Sequence, residues 1–139
     1  NIYTSDVDFR EQLTSGCSAT DEWIKYIDTL GKGFCACLDT GHANLTDKDD
    51  QKINDKVIKL GNRLKTLHVN QNYGKFSNYG DFHLPPLLGD IDLVSFAKTL
   101  KDTGYKGDFN YEVVLSTKDK DLFIAELKYL KTYIERNLQ

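Results

Sequence analysis

The chain has 139 residues, of which 40% are hydrophobic and 28% charged, and its net charge is −3. That balance suits one globular domain and excludes the basic footprint of a nucleic-acid binder. No apolar run approaches the length of a membrane span, and no signal-peptide pattern opens the chain.

In chain order, residues 20–30 read as a helix with Trp23, Ile27 and Leu30 on one face. Ser18 and Asp21 have capping-box spacing, and Gly31 is a stop. Residues 34–38 form a short apolar run, read as a buried strand. Cys35 and Cys37 alternate on it, so they point the same way. With Cys17 they make an odd count without a CxxC pair. They read as small apolar residues in a reducing compartment, which favours the cytoplasm.

Thr46 is placed to cap a helix running to about Leu60, with Asp47, Asp49 and Asp50 favouring its N-terminal dipole. Residues 64–69 are the next strand, and residues 70–91 a long loop of the kind that usually carries function. Asp92 caps a helix with Leu93, Phe96, Ala97 and Leu100 on one face, stopped by Gly104. Residues 109–115 are a third strand, and residues 118–138 a last helix with Phe123, Leu127, Leu130 and Ile134 inward.

The order αβαβαβα predicts an α/β fold with a parallel sheet and right-handed crossovers. Three strands fall short of a closed eight-stranded barrel, which takes about 250 residues. The chain also contains no Met. Both observations suggest a piece of a longer protein. The expectation is one segment, residues 1–139, forming the C-terminal part of a TIM (β/α)8 barrel. Such a piece leaves strand edges unpaired and an inner face uncovered. It is expected to pair with its missing N-terminal half or with a copy of itself.

Asp39, His68 and Glu112 each sit where a β-rich run stops. Parallel barrels carry their chemistry at the C-terminal ends of strands, so these residues describe one rim. Carboxylates and imidazoles suit a divalent metal with open coordination positions. His42, Asp81 and His83 are candidates for further metal, for orienting ligands, or for holding substrate. Tyr73, Phe76, Tyr79 and Phe82 either wall a pocket or pack the loop down. There is no Gly-rich phosphate loop, no GxSxG elbow and no HExxH.

Taken together, Leu38-Asp39-Thr40-Gly41-His42-Ala43, Leu67-His68-Val69-Asn70, Asp81-Phe82-His83-Leu84-Pro85-Pro86, Gly89-Asp90-Ile91-Asp92 and Gly104-Tyr105-Lys106-Gly107 leading to Tyr111-Glu112 resemble one family. It is the xylose isomerase-like TIM-barrel superfamily, which holds sugar and sugar-phosphate isomerases and epimerases and the endonuclease IV-type AP endonucleases. The resemblance implies strands six to eight of the barrel, with the family's metal-binding Glu lying just before Asn1. It implies metal ligation (Mn, Co, Mg or Zn) by Asp39, His68 and Glu112, with Glu112 also the catalytic acid/base. In the multi-zinc endonucleases, positions matching His42, Asp81 and His83 bind metal too. The substrate-facing positions would be His42, Asn70, Gln71 and His83.

Two features depart from the family pattern. Gln71 stands where many members have Asp, and Pro86-Leu87-Leu88-Gly89 loses one glycine of a Pro-x-Gly-x-Gly stretch. The reading that follows is part of a sugar or sugar-phosphate isomerase or epimerase that moves a proton through a metal-stabilised enediolate. The isolated piece is expected to be inactive. The alternatives are an AP endonuclease, which the acidic balance disfavours, and a non-catalytic sugar-binding barrel.

Overall fold

A computed structural model describes residues 19–46, 52–74, 81–85, 88–114 and 119–138. The elements in order are α1 (Thr20–Leu30), β1 (Ala36–Asp39), α2 (Thr40–Thr46), α3 (Ile53–Leu60), a 3-10 turn (Gly61–Arg63), β2 (Leu64–Val69), α4 (Leu93–Asp102), β3 (Asp108–Tyr111) and α5 (Lys120–Leu138). The strands lie in the order β1-β2-β3, and both pairings are parallel. The expected α/β architecture with a parallel sheet is present. No described helix is long and apolar enough to cross a membrane.

Strand pleating sends alternate side chains to opposite faces. Ala36, Leu38, Leu64, Leu67 and Val69 face the helices and are buried. They form one core with Ile53, Val57 and Leu60 of α3 and with Leu93, Phe96 and Leu100 of α4. Trp23, Ile24 and Ile27 of α1 pack against it. A bulge makes this possible. Ala36 pairs with Leu64 but Cys37 pairs with Thr66, so Lys65 is an extra residue. It lets Leu64 and Leu67, three positions apart, share the core face. Gly107 runs so close to the bulge that a Cβ there would lie 2.1 Å from the Lys65 carbonyl oxygen.

Several local expectations shift. Ala19 occupies the N-cap of α1 without a side-chain bond. The proposed capping residue Ser18 lies outside the described residues, as does Cys17. Phe34 and Cys35 precede the paired strand and are exposed, so Cys35 and Cys37 do not share a strand face. Leu30 is also exposed.

Thr46 ends α2 rather than opening a longer helix. α3 begins at Ile53 after Lys52, and Asp47, Asp49 and Asp50 lie outside the described residues. The third strand stops at Tyr111 because the chain beyond turns to a different partner: the Val114 N–H donates to the His83 carbonyl. Asp92 caps α4 as expected, accepting from the Ser95 N–H at 2.9 Å. Ile134 of α5 is buried, Phe123 and Leu127 are partly buried, and the Leu130 side chain lies outside the described set.

Candidate metal centre

The face of the sheet turned away from the helices carries Cys37 and Asp39 of β1, Thr66 and His68 of β2, and Asp108 and Asn110 of β3. Asp39 pairs in register with His68, and His68 with Asn110. Glu112 follows β3 directly, its N–H donating to the Val69 carbonyl at 3.2 Å. The three expected strand-end ligands therefore converge at the C-terminal ends of adjacent parallel strands. One donor atom from each lies within 4.8 Å of the other two.

Asp39 is 4% exposed. Its Oδ1 accepts from the His42 N–H at 2.9 Å and from Asn70 Nδ2 at 3.1 Å. Its Oδ2 makes no hydrogen bond, nor do His68 Nδ1 and Glu112 Oε2, although all three atoms are buried. His68 Nδ1 and Glu112 Oε2 lie 2.5 Å apart without the alignment a hydrogen bond requires. Buried polar atoms are almost always hydrogen-bonded, whereas these three have only ion-pair contacts, His68 with Glu112 and Asp39 Oδ2 with His42 Nδ1 at 3.4 Å, and such a cluster fits a cation. The donor set, two carboxylates and an imidazole, fits a divalent ion with room for further ligands.

His42, Asp81 and His83 form a second group with donor atoms within 4.8 Å. Its members are bonded to one another. His42 Nε2 meets Asp81 Oδ2 at 2.5 Å and His83 Nε2 meets the same oxygen at 2.9 Å. His83 Nδ1–H donates to the Glu112 carbonyl at 2.9 Å. The Asp81 hydrogen bond holds the His42 imidazole above its usual pKa, against the opposing effect of burial. Burial works against the charged forms of Asp81 and His83. The contacts with His42 and His83 nevertheless keep Asp81 low, while the Glu112 carbonyl and Asp81 keep His83 high.

His83 adopts φ +48°, a left-handed conformation unusual for a side-chain-bearing residue. It is over-determined from both sides. Gln71 and Leu84 exchange backbone hydrogen bonds at 2.9 and 2.8 Å, and the Val114 N–H holds the His83 carbonyl.

Asn70 and Gln71, expected to face substrate, are both buried. Gln71 uses both ends of its amide on Ile91, donating to its carbonyl at 2.8 Å and accepting from its N–H at 2.9 Å. It braces the loop and presents no charge to the rim. Tyr73 and Phe82 are partly exposed, and Phe76, Tyr79 and Pro86 lie outside the described residues.

Sequence reading missed two tasks. Thr40 Oγ is buried, donating to the Asn70 carbonyl at 2.7 Å and accepting from the Asn70 N–H at 3.0 Å. Asn72 Nδ2 donates to the Gly41 carbonyl at 2.8 Å, and Asn44 Nδ2 donates to Asn72 Oδ1 at 2.8 Å. These bonds stitch α2 to the end of β2. The run of Asn and Gln after His68 was their one visible signal.

The chain is 28% identical over 116 residues to an uncharacterized protein of Methanocaldococcus jannaschii, covering 82% of this chain and 35% of that one. A crystal structure of a D-tagatose 3-epimerase-like protein superposes with a TM-score of 0.65 at 24% identity, over 86% of this chain and 42% of the other. The chain thus spans about a third of the curated relative and under half of the solved neighbour. The model of the family described as xylose isomerase-like TIM barrel matches residues 10–133. Strand-end chemistry, parallel topology and that match agree, and the chain belongs to the xylose isomerase-like TIM-barrel family.

Proposed function

We propose that this chain supplies the metal-binding, C-terminal arc, strands six to eight, of a barrel that isomerises or epimerises a sugar or sugar phosphate. The observation that carries the reading is the convergence of Asp39 Oδ2, His68 Nδ1 and Glu112 Oε2, buried and without hydrogen bonds, on the open face of the sheet. These three residues would hold a divalent ion such as Mn2+, Co2+, Mg2+ or Zn2+. When bound, such an ion supplies Lewis-acid polarisation of a substrate carbonyl or hydroxyl oxygen.

The chain's own residues do the remaining work. Asp39 is held by two N–H donors on one oxygen. Glu112 sits at the mouth of the site with its side chain 36% exposed, where a sugar C–H beside a carbonyl can reach it. There it takes or returns the proton as general base and acid. His42 and His83, joined through Asp81, flank this position and would line the space a sugar enters. A second carboxylate, from outside this chain, would serve the opposite face of the sugar carbon. The isolated chain would then bind metal but turn over little or no substrate.

The uncovered face supports the partner assignment. Parallel sheets are buried on both sides, whereas Asp108 and Asn110 are exposed on this one. The remaining strands of the barrel, or a second copy, would cover it. The free thiols of Cys35 and Cys37 fit a reducing, cytoplasmic setting.

A second reading, a multi-zinc phosphodiesterase acting on abasic DNA, is favoured by one observation: His42, Asp81 and His83 form another donor group. The net charge of −3 weighs against it.

The test is solvent deuterium exchange. The barrel containing this chain, loaded with Mn2+, is incubated with a panel of ketoses in D2O. The expected result is label at the carbon beside the carbonyl, abolished by chelator and by Glu112→Gln. Cleavage of an abasic duplex with no exchange into any ketose reverses the ranking.

A further inference from the structure

The Asp39-Thr40-Gly41-His42 run and Asn70 meet at one point. Asn70 is completely buried at the end of β2. Thr40 grips its backbone on both sides through one hydroxyl. Its side chain lies over Gly41 so closely that a Cβ on that glycine would stand 1.8 Å from Asn70 Oδ1. A glycine is required there by contact rather than by conformation, since no left-handed φ is recorded at Gly41. The amide is oriented by chemistry. Only the Nδ2 end can face a carboxylate, and it donates to Asp39 Oδ1 at 3.1 Å. The Oδ1 end is then left buried with no hydrogen-bond partner. A residue kept only for packing has no reason to carry an unpaired buried carbonyl.

We infer that Asn70 is a positioning residue that makes Asp39 a one-oxygen ligand. With the His42 N–H it occupies Asp39 Oδ1, so that Oδ2, which makes no hydrogen bond and lies 3.4 Å from His42 Nδ1, is the oxygen left to meet an ion. Thr40 sets the Asn70 backbone, and Gly41 admits its side chain. The inference rests on the metal-site reading above and adds a denticity to it. Loss of Asn70 frees Oδ1 to swing toward the ion, which raises the coordination number and loosens the site.

The test uses the metal ions alone with the full 139-residue chain. Mn2+ binding is followed by electron paramagnetic resonance, and Co2+ binding by its visible bands, whose intensity falls as coordination number rises. Circular dichroism confirms that each variant is folded. Asn70→Ala is expected to weaken Mn2+ binding by about 10–100-fold, the usual effect of removing a residue that orients a ligand. The Co2+ bands should weaken with it.

Asn70→Asp fills the same space if the alanine variant fails to fold. It turns the donor into an acceptor, so binding should weaken even though negative charge is added. A folded variant with wild-type Mn2+ affinity and unchanged Co2+ bands overturns the positioning role and leaves the metal site standing. Wild-type chain that binds neither ion overturns both.

Discussion

Leu67 and His68 are consecutive in β2, yet they belong to different regions of the molecule. Leu67 is fully buried against the helices, and its neighbours on that face are apolar. His68 points the other way, to a face where exposed polar residues surround three buried donor atoms without hydrogen bonds. One face satisfies every demand of folding. The other leaves demands open at a single point. Rigid strands explain how this persists, since Asp39 and His68 are fixed by the β1–β2 ladder and cannot relax onto each other. The donors of His42, Asp81 and His83, carried by a helix and a loop, are instead joined by hydrogen bonds.

The sharpest way to break the comparison is to truncate the two neighbours. Leu67→Ala should cost about 2–5 kcal/mol in urea unfolding, as a cavity in a packed core does. Without added metal, His68→Ala should change stability by no more than about 1 kcal/mol, because it removes only an ion-pair contact with Glu112 on a partly exposed face. Equal losses from both would mean that the open face is part of the core. In Mn2+ binding the order should reverse. His68→Ala should weaken affinity by roughly 100-fold or more and His42→Ala by about 10-fold, since removing a ligand exceeds removing a neighbour. Leu67→Ala, while folded, should leave affinity nearly unchanged.

A smaller effect tests the seam between the two regions. Gly41→Ala should destabilise by about 1–3 kcal/mol, the usual cost of overpacking. Combining it with Asn70→Ala should recover part of that loss, because the clash partner is gone. Strict additivity would contradict the contact.

The smallest concerns Tyr105 at the helix-side margin, where it packs against Phe109. Burial, helped by the Asp108 charge, pushes its hydroxyl up from 10.0 to about 12. Its pKa is higher folded than unfolded, so the unfolded chain loses the proton first. The Tyr105 contribution to stability is therefore intact below pH 10 and lost as pH climbs toward 12. Tyr105→Phe should remove that slope. It should also cost about 1 kcal/mol at neutral pH, through the hydrogen bond to the Asp108 carbonyl.

Much of the helix-side region was legible from residue pattern. β2 and α4 fall where periodicity and the Asp92 cap place them, because both signals are local. That Asp39, His68 and Glu112 come together at the strand ends was legible for the same reason: each ends an apolar run. α2 was not. Its seven residues carry no apolar stripe, and the bonds that hold it come from Asn70, Asn72 and Asp90, distant in sequence. The end of β3 was overrun because Val113 and Val114 look like strand, while their backbone is claimed by His83.

By itself the sequence determined the α/β alternation, the parallel sheet and the identity of the strand-end donors. Each depends on residue type and spacing within a few turns of chain. Only the tertiary structure decided which polar atoms are satisfied and which are not. It paired His42 with Asp81, turned Gln71 to Ile91, and set Asn70 between Gly41 and Asp39. Hydrogen-bond satisfaction depends on geometry between segments some thirty or forty residues apart, and no local pattern encodes it.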